Sequence, residues 1–154
     1  MDTIRLDLAR DANFLHAVEE ESGQNLSTCY QCGNCTAGCP GAQFYDRQVS
    51  QIMRAVQLGL KDEALNNRSL WLCLSCQTCT ARCPNNIDVA RVMETLRHMA
   101  RREGRVQDRP IESFWKAFLD TVRLTGRSFE IGVMADYMLR TGRGWGNMDI
   151  APTA

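Results

Sequence analysis

Eight of the 154 residues are cysteines, and they fall in two runs: CYQCGNCTAGCP, from Cys29 to Pro40, and CLSCQTCTARCP, from Cys73 to Pro84. Cys29, Cys32, Cys35 and Cys39 recur 44 positions on as Cys73, Cys76, Cys79 and Cys83, and Thr36–Ala37 recurs as Thr80–Ala81. This is a duplicated binding unit. The thiolate is both a nucleophile and a metal ligand, so the spacing has to decide which chemistry is meant. Structural zinc uses C-x2-C pairs with four ligands per ion, and three evenly spaced cysteines plus a fourth, repeated, match that poorly. Thiol redox chemistry at C-x-x-C accompanies a βαβ pattern, which is absent here. A disulfide framework belongs to small secreted chains. What remains is a cubane iron–sulfur cluster, which needs four thiolates placed tetrahedrally about a compact body.

Both runs have the form C-x2-C-x2-C-x3-C-P, which is typical of bacterial two-cluster ferredoxins. A tight loop can wrap three corners of a cubane but reaches the fourth with difficulty, and in the two-cluster arrangement the fourth cysteine of each run crosses to the other cluster. The expectation is two [4Fe–4S] clusters, one on Cys29, Cys32, Cys35 and Cys83 and the other on Cys73, Cys76, Cys79 and Cys39. Pro40 and Pro84 redirect the chain at each loop exit without contributing an N–H. With all eight ligand places filled, His16 and His98, the two histidines of the chain, are expected on helix surfaces. No iron is left open to a substrate. Nor does the sequence hold a nucleophile–base pair, a phosphate-binding glycine loop or a dinucleotide fingerprint. The expected role is electron transfer, with no catalytic site on this chain.

The elements that position the cysteines read as helices. Val49, Ile52, Met53, Val56 and Leu60 line one helical face, with Gly59 at its end. A short helix is expected at Asp62–Leu65. Asp88 is the expected N-cap of a helix carrying Val89, Val92, Met93, Leu96, Met99 and Ala100, which Gly104 stops. Asp11–Ser22 predicts another amphipathic helix, with Phe14, Leu15 and Val18 inward. Asp108 and Pro110 suit the start of a helix bearing Ile111, Phe114, Trp115, Phe118 and Val122, ended by Gly126, and a last helix is expected over residues 128–139. Gly142 to Ala154 reads as irregular. Small bacterial ferredoxins put their runs on short strands, whereas the 33-residue spacer between Cys39 and Cys73 is helical. The fold class is therefore all-α: an alpha-helical ferredoxin module with two cluster-binding loops at 27–105, an N-terminal helical segment at 1–26 and a C-terminal helical extension at 106–154. The apolar late helices are expected either to complete the core or to dock on another subunit. Trp71, two residues before Cys73, is expected to shield a cluster, with an ordinary place in the core as the alternative. Arg97, Arg101, Arg102, Arg105 and Arg109 form a basic run, read as a solvated face complementing a helix C-terminus in preference to a docking surface for an acidic partner.

Apolar and charged fractions of 44% and 23% suit a globular protein, and a formal net charge of zero gives no drive toward nucleic acid or anionic membranes. The start of the chain lacks the basic stretch and apolar run of a signal peptide, and no segment approaches the roughly 20 apolar residues of a membrane span. The expected location is cytoplasmic.

The phrases CYQCGNCTAGCP, IMRAVQLGLKDEAL and LWLCLSCQTCTARCPNNIDV, spanning Leu26 to Gly104, resemble the C subunit of heterodisulfide reductase and of the related complexes of sulfur oxidisers. The cysteine runs alone are shared by many helical ferredoxin modules, including those of fumarate and succinate oxidoreductases. RAVQLGL followed by WLC is narrower. The resemblance implies a subunit that passes electrons between a flavin-containing A-like subunit and a catalytic, iron–sulfur-bearing B-like subunit acting on a disulfide or carrier-bound sulfur. The alternatives are a free-standing dicluster ferredoxin, or the iron–sulfur subunit of another oxidoreductase of the fumarate or succinate type.

Overall fold

The computed structural model describes residues 10–142, and these divide into two compact units, with the break after Gln107. Among the described residues every regular element is a helix.

In the first unit, α1 (Phe14–Ser22) buries Phe14 and Val18, leaves Leu15 half-exposed and ends at Gly23 in the left-handed region. A 3-10 turn at Leu26–Thr28, capped by the Asn25 side chain, leads into the first cysteine loop. The one-turn helix α2 (Asn34–Ala37) carries Cys35. A second 3-10 turn, Ala42–Phe44, precedes α3 (Val49–Gln57), whose buried face is Val49, Ile52, Met53, Ala55 and Val56. Then come α4 (Lys61–Leu65) and α5 (Ser69–Leu72), the second cysteine loop, the one-turn helix α6 (Thr78–Ala81) carrying Cys79, and α7 (Val89–Arg102). Asp88 caps α7 as expected, its carboxylate accepting from Arg91 N at 3.0 Å. The periodicity was legible because each long helix buries a single stripe. α1 packs on α3 and α7, α2 lies against α6, and α4 and α5 cover α7. Leu26, Ile52, Met53, Leu65, Leu70, Trp71, Met93 and Leu96 are fully buried between them.

Gly59 is a position that only glycine fits. Its φ is +72°, and a Cβ would sit 2.6 Å from the Asp11 carbonyl oxygen. The close approach lets Asp11 N donate to Gly59 O at 2.8 Å, tying the chain before α1 to the end of α3.

The second unit contains a helical hairpin, α8 (Arg109–Thr125) and α9 (Glu130–Thr141). Asp108 caps α8 through Ile111 N at 3.1 Å, Pro110 sits in its first turn, and Gly126 closes it at φ +73°. Phe114 meets Tyr137 edge-on at 6.1 Å, and Arg140 bridges Asp120 and Asp136 at 2.8 and 2.7 Å. Leu119, Leu124, Ile131 and Leu139 are exposed. α9 starts two residues later than expected and runs to Thr141; beyond Gly142, the expected irregular tail lies outside the described residues.

Candidate iron–sulfur centre

Each cysteine run folds the same way. Gln31 and Gly33 in the first loop, and their counterparts Ser75 and Gln77 in the second, all have left-handed backbones, with φ of 64°, 81°, 52° and 65°. Left-handed residues at these alternate positions curl the loop tightly, and turns of this kind can gather backbone N–H groups into anion and iron–sulfur nests. The loop then enters a one-turn helix, which brings the third cysteine round to face the first two.

Two cavities result. One is lined by Cys29, Cys32, Cys35 and Cys83, with Met53, Ile87 and Val89 as its apolar wall. The other is lined by Cys39, Cys73, Cys76 and Cys79, with Tyr45, Val49, Ala90 and Met93. Counted out to the solvent, the space between the side chains is about 340 Å³ in the first and about 410 Å³ in the second. Among the described residues no three His, Cys, Asp or Glu side chains converge on a single-ion position. The thiols ring a volume instead, and a compact polynuclear body with four thiolate corners fits this donor set and its apolar walls. Asn85 of the second loop exit donates to Thr28 O at the first loop entry, and the Arg82 side chain lies across Gly38, where a Cβ would meet it. These contacts hold each fourth cysteine against the other run.

The thiols differ. Cys73 and Cys79 are buried, while Cys32 and Cys76 are exposed. Burial, reinforced by the neighbouring Cys73 charge, pushes the Cys79 thiol up to about 11, and burial likewise raises Cys35. Cys76 goes the other way, because the Thr78 hydroxyl and backbone N–H stabilise its thiolate. The Tyr45 phenol is held well above its ordinary value, first by burial and then by the adjacent Cys73 and Cys39.

Outside the cysteines, several residues to which the sequence assigned no such role position the loops. Thr36 Oγ1 accepts from Ser50 N at 2.9 Å, and Thr80 Oγ1 accepts from Ala90 N at 3.1 Å, so each run grips the start of the following long helix. The recurrence of Thr–Ala in the two runs was the available signal. Gln57 Nε2 donates to Leu26 O and Cys29 O at 2.9 and 2.8 Å. Arg97 performs the same task in the second half, with Nε to Leu70 O at 2.7 Å and Nη2 to Cys73 O at 2.6 Å. The gripped carbonyls are 44 apart (26 and 70, 29 and 73) but the gripping residues only 40 (57 and 97), because the first loop exit is four residues longer. A search at one fixed period therefore misses the pair. Asp46, in that longer exit, accepts from Arg68 N at 2.8 Å and Ser69 N at 2.9 Å at the start of α5.

Three expectations are revised or settled here. Trp71 is fully buried but lines neither cysteine cavity; it belongs to the core, with the Arg101 guanidinium 5.7 Å from its ring. The basic run is not a free solvated face. Arg97 clamps the loop, Arg102 pairs with Glu21 at 2.5 Å, and Arg105 pairs with Asp62 and Glu103 at 2.5 and 2.9 Å. His16 and His98 are exposed on helices and line neither cavity, as expected.

An all-α module that sets two four-cysteine cavities between repeated loops is of the dicluster, ferredoxin-like class. The family model described as a 4Fe-4S dicluster domain matches residues 28–88. The chain is 35% identical over 94 residues to the C subunit of the H(2):CoB-CoM heterodisulfide,ferredoxin reductase of Methanothermobacter marburgensis, covering 61% of this chain and 51% of the relative. To an iron–sulfur C subunit of the CoB–CoM heterodisulfide reductase of Methanocaldococcus jannaschii it is 34% identical over 112 residues, 68% of this chain and 59% of the relative. To the C subunit of the ferredoxin:CoB-CoM heterodisulfide reductase of Methanosarcina acetivorans it is 40% identical over 88 residues, 57% of this chain and 35% of the relative. The chain thus carries a 4Fe–4S dicluster domain homologous to that of the heterodisulfide reductase C subunits. The matched region spans about half the length of the first of these relatives. Among the described residues no helix is long and apolar enough to cross a membrane.

Proposed function

We propose that this chain relays electrons within a cytoplasmic heterodisulfide reductase-like complex, between a flavin-containing A-like subunit and a catalytic B-like subunit acting on a disulfide or carrier-bound sulfur. In this reading Cys29, Cys32, Cys35 and Cys83 hold one [4Fe–4S] cluster, and Cys73, Cys76, Cys79 and Cys39 the other. When bound, such clusters accept and release single electrons at potentials tuned by charge, hydrogen bonds and burial. The residues of the chain do the rest. The left-handed loops orient the thiols, Met53, Ile87, Val89 and Met93 keep water from them, and the crossed cysteines hold the two centres together. The observation that carries the reading is that the fourth cysteine of each run lines the cavity of the other run. The exposed apolar residues of the α8–α9 hairpin support a docking role for the C-terminal segment.

Anaerobically purified protein should be brown and contain about eight irons per chain, as two four-iron clusters require. Electron paramagnetic resonance tests the pairing without prior assignment of signals. Cys83→Ser and Cys32→Ser should alter one and the same signal, and Cys39→Ser and Cys76→Ser the other. If Cys83→Ser instead groups with Cys76→Ser, the crossed pairing is wrong. Purification from its own cells should bring down a flavoprotein together with a further cysteine-rich iron–sulfur protein; recovery as a stable lone chain would refute the relay.

A further inference from the structure

The two cysteine loops are gripped alike, but the side chain that does the gripping differs in charge. The carbonyls before and within each first C-x-x-C are held by a side chain of the following long helix, Gln57 in the first half and Arg97 in the second. Gln57 is neutral. Arg97 carries a full positive charge, is half-buried, and has its guanidinium 2.6 Å from the carbonyl of Cys73 itself. Among the described residues no carboxylate pairs with Arg97 to cancel that charge. A charge in a partly desolvated site acts over its neighbours far more strongly than one in bulk water.

From this we infer that Arg97 makes the two clusters inequivalent, so that the one held by Cys73, Cys76, Cys79 and Cys39 has the higher reduction potential and takes the first electron. The inference rests on the cysteine assignment proposed above. Its physics is that reduction adds negative charge next to a fixed cation, which lowers the energy of the reduced form; net charge and hydrogen bonding are established levers on cluster potential. Groups on the first side are weaker. Gln31 Nε2 lies 3.5 Å from Cys29 Sγ, a neutral donor at long range. Arg54 Nη1 lies 3.5 Å from Gln57 Oε1 but is exposed, where water and salt screen it.

The test is a redox titration of the iron-loaded protein followed by electron paramagnetic resonance, with the signals identified by the Cys32→Ser and Cys76→Ser variants. In the unmodified protein the signal that Cys76→Ser alters should be the first to reduce. Arg97→Gln, which copies the first half's clamp, should lower that potential alone, changing its reduced-to-oxidised ratio at fixed poise by on the order of tenfold, or 59 mV for one electron. Arg97→Lys should restore most of the shift. Should Arg97→Gln lose iron, Gln57→Arg gives the independent readout: it should raise the potential of the signal that Cys32→Ser alters. A reversed order in the unmodified protein, or a charge change that moves neither potential, overturns the inference and leaves the cysteine assignment standing. Failure of the four serine variants to group in pairs overturns the assignment instead.

Discussion

Asp46 gives the sharpest test of how the two loops are held together. It lies in the exit from the first cysteine loop, and its carboxylate receives Arg68 N–H, Ser69 N–H and the Ser69 hydroxyl at the start of α5, the helix that delivers Cys73. Burial works against its ionisation, but these donors and the Arg47 N–H prevail and hold it below the usual carboxylate range. In Asp46→Ala, water can replace the carboxylate at the exposed Arg68 amide. It cannot reach Ser69, which is fully buried. Loss of an N-cap costs about 1 kcal/mol, and a buried donor left without a partner costs roughly another 1–3 kcal/mol. Since the carboxylate is itself exposed and its interactions are screened, the low end applies, for a total of about 2 kcal/mol by these two principles. Asp46→Asn keeps one acceptor oxygen for Ser69 and should lose about half as much, roughly 1 kcal/mol. The assay is anaerobic urea unfolding of the iron-loaded protein, read in parallel by helical circular dichroism and by cluster colour. Both probes should shift, with Asn between Ala and wild type. If Asp46→Ala leaves the midpoint unchanged, the carboxylate is not holding α5 and the argument fails.

Two further substitutions probe the backbone. Gly59→Ala must place a Cβ against the Asp11 carbonyl at a left-handed φ, and should lower stability by about 2–3 kcal/mol; an unchanged urea midpoint would show that the Asp11–Gly59 tie does not matter. Gln77→Gly supplies at φ +65° the residue type that its counterpart Gly33 already has, and should raise stability by about 1 kcal/mol with iron content intact. A lower midpoint would mean that the Gln77 side chain contributes more than its backbone strain removes.

Much of this protein was legible because its chemistry is written in local spacing. Cysteines three apart, a proline after the fourth and a 44-residue repeat depend only on what a short loop can wrap. The helices were equally readable, because Asp88 and Asp108 cap them, Gly104 and Gly126 end them, and one stripe of each long helix is apolar. The sequence leaves Trp71 open between shield and core and makes the basic run only partly legible for the opposite reason, although Arg101 and Arg102 do occupy the last turn of α7. Proximity in sequence to Cys73 does not say which way an indole points, and a row of arginines does not disclose that Glu21, Asp62 and the Cys73 carbonyl lie within reach. The clamps at Gln57 and Arg97 depend on a helix packing against a loop more than 20 residues away in sequence, with a four-residue difference in loop length hiding their equivalence. By itself the sequence marked out the eight candidate cysteines, their expected crossed grouping and the helical frame, since all follow from short-range spacing. Only the tertiary structure decided which side chains grip the two loops and which half of the module carries an internal charge, because both depend on how distant helices pack against the loops.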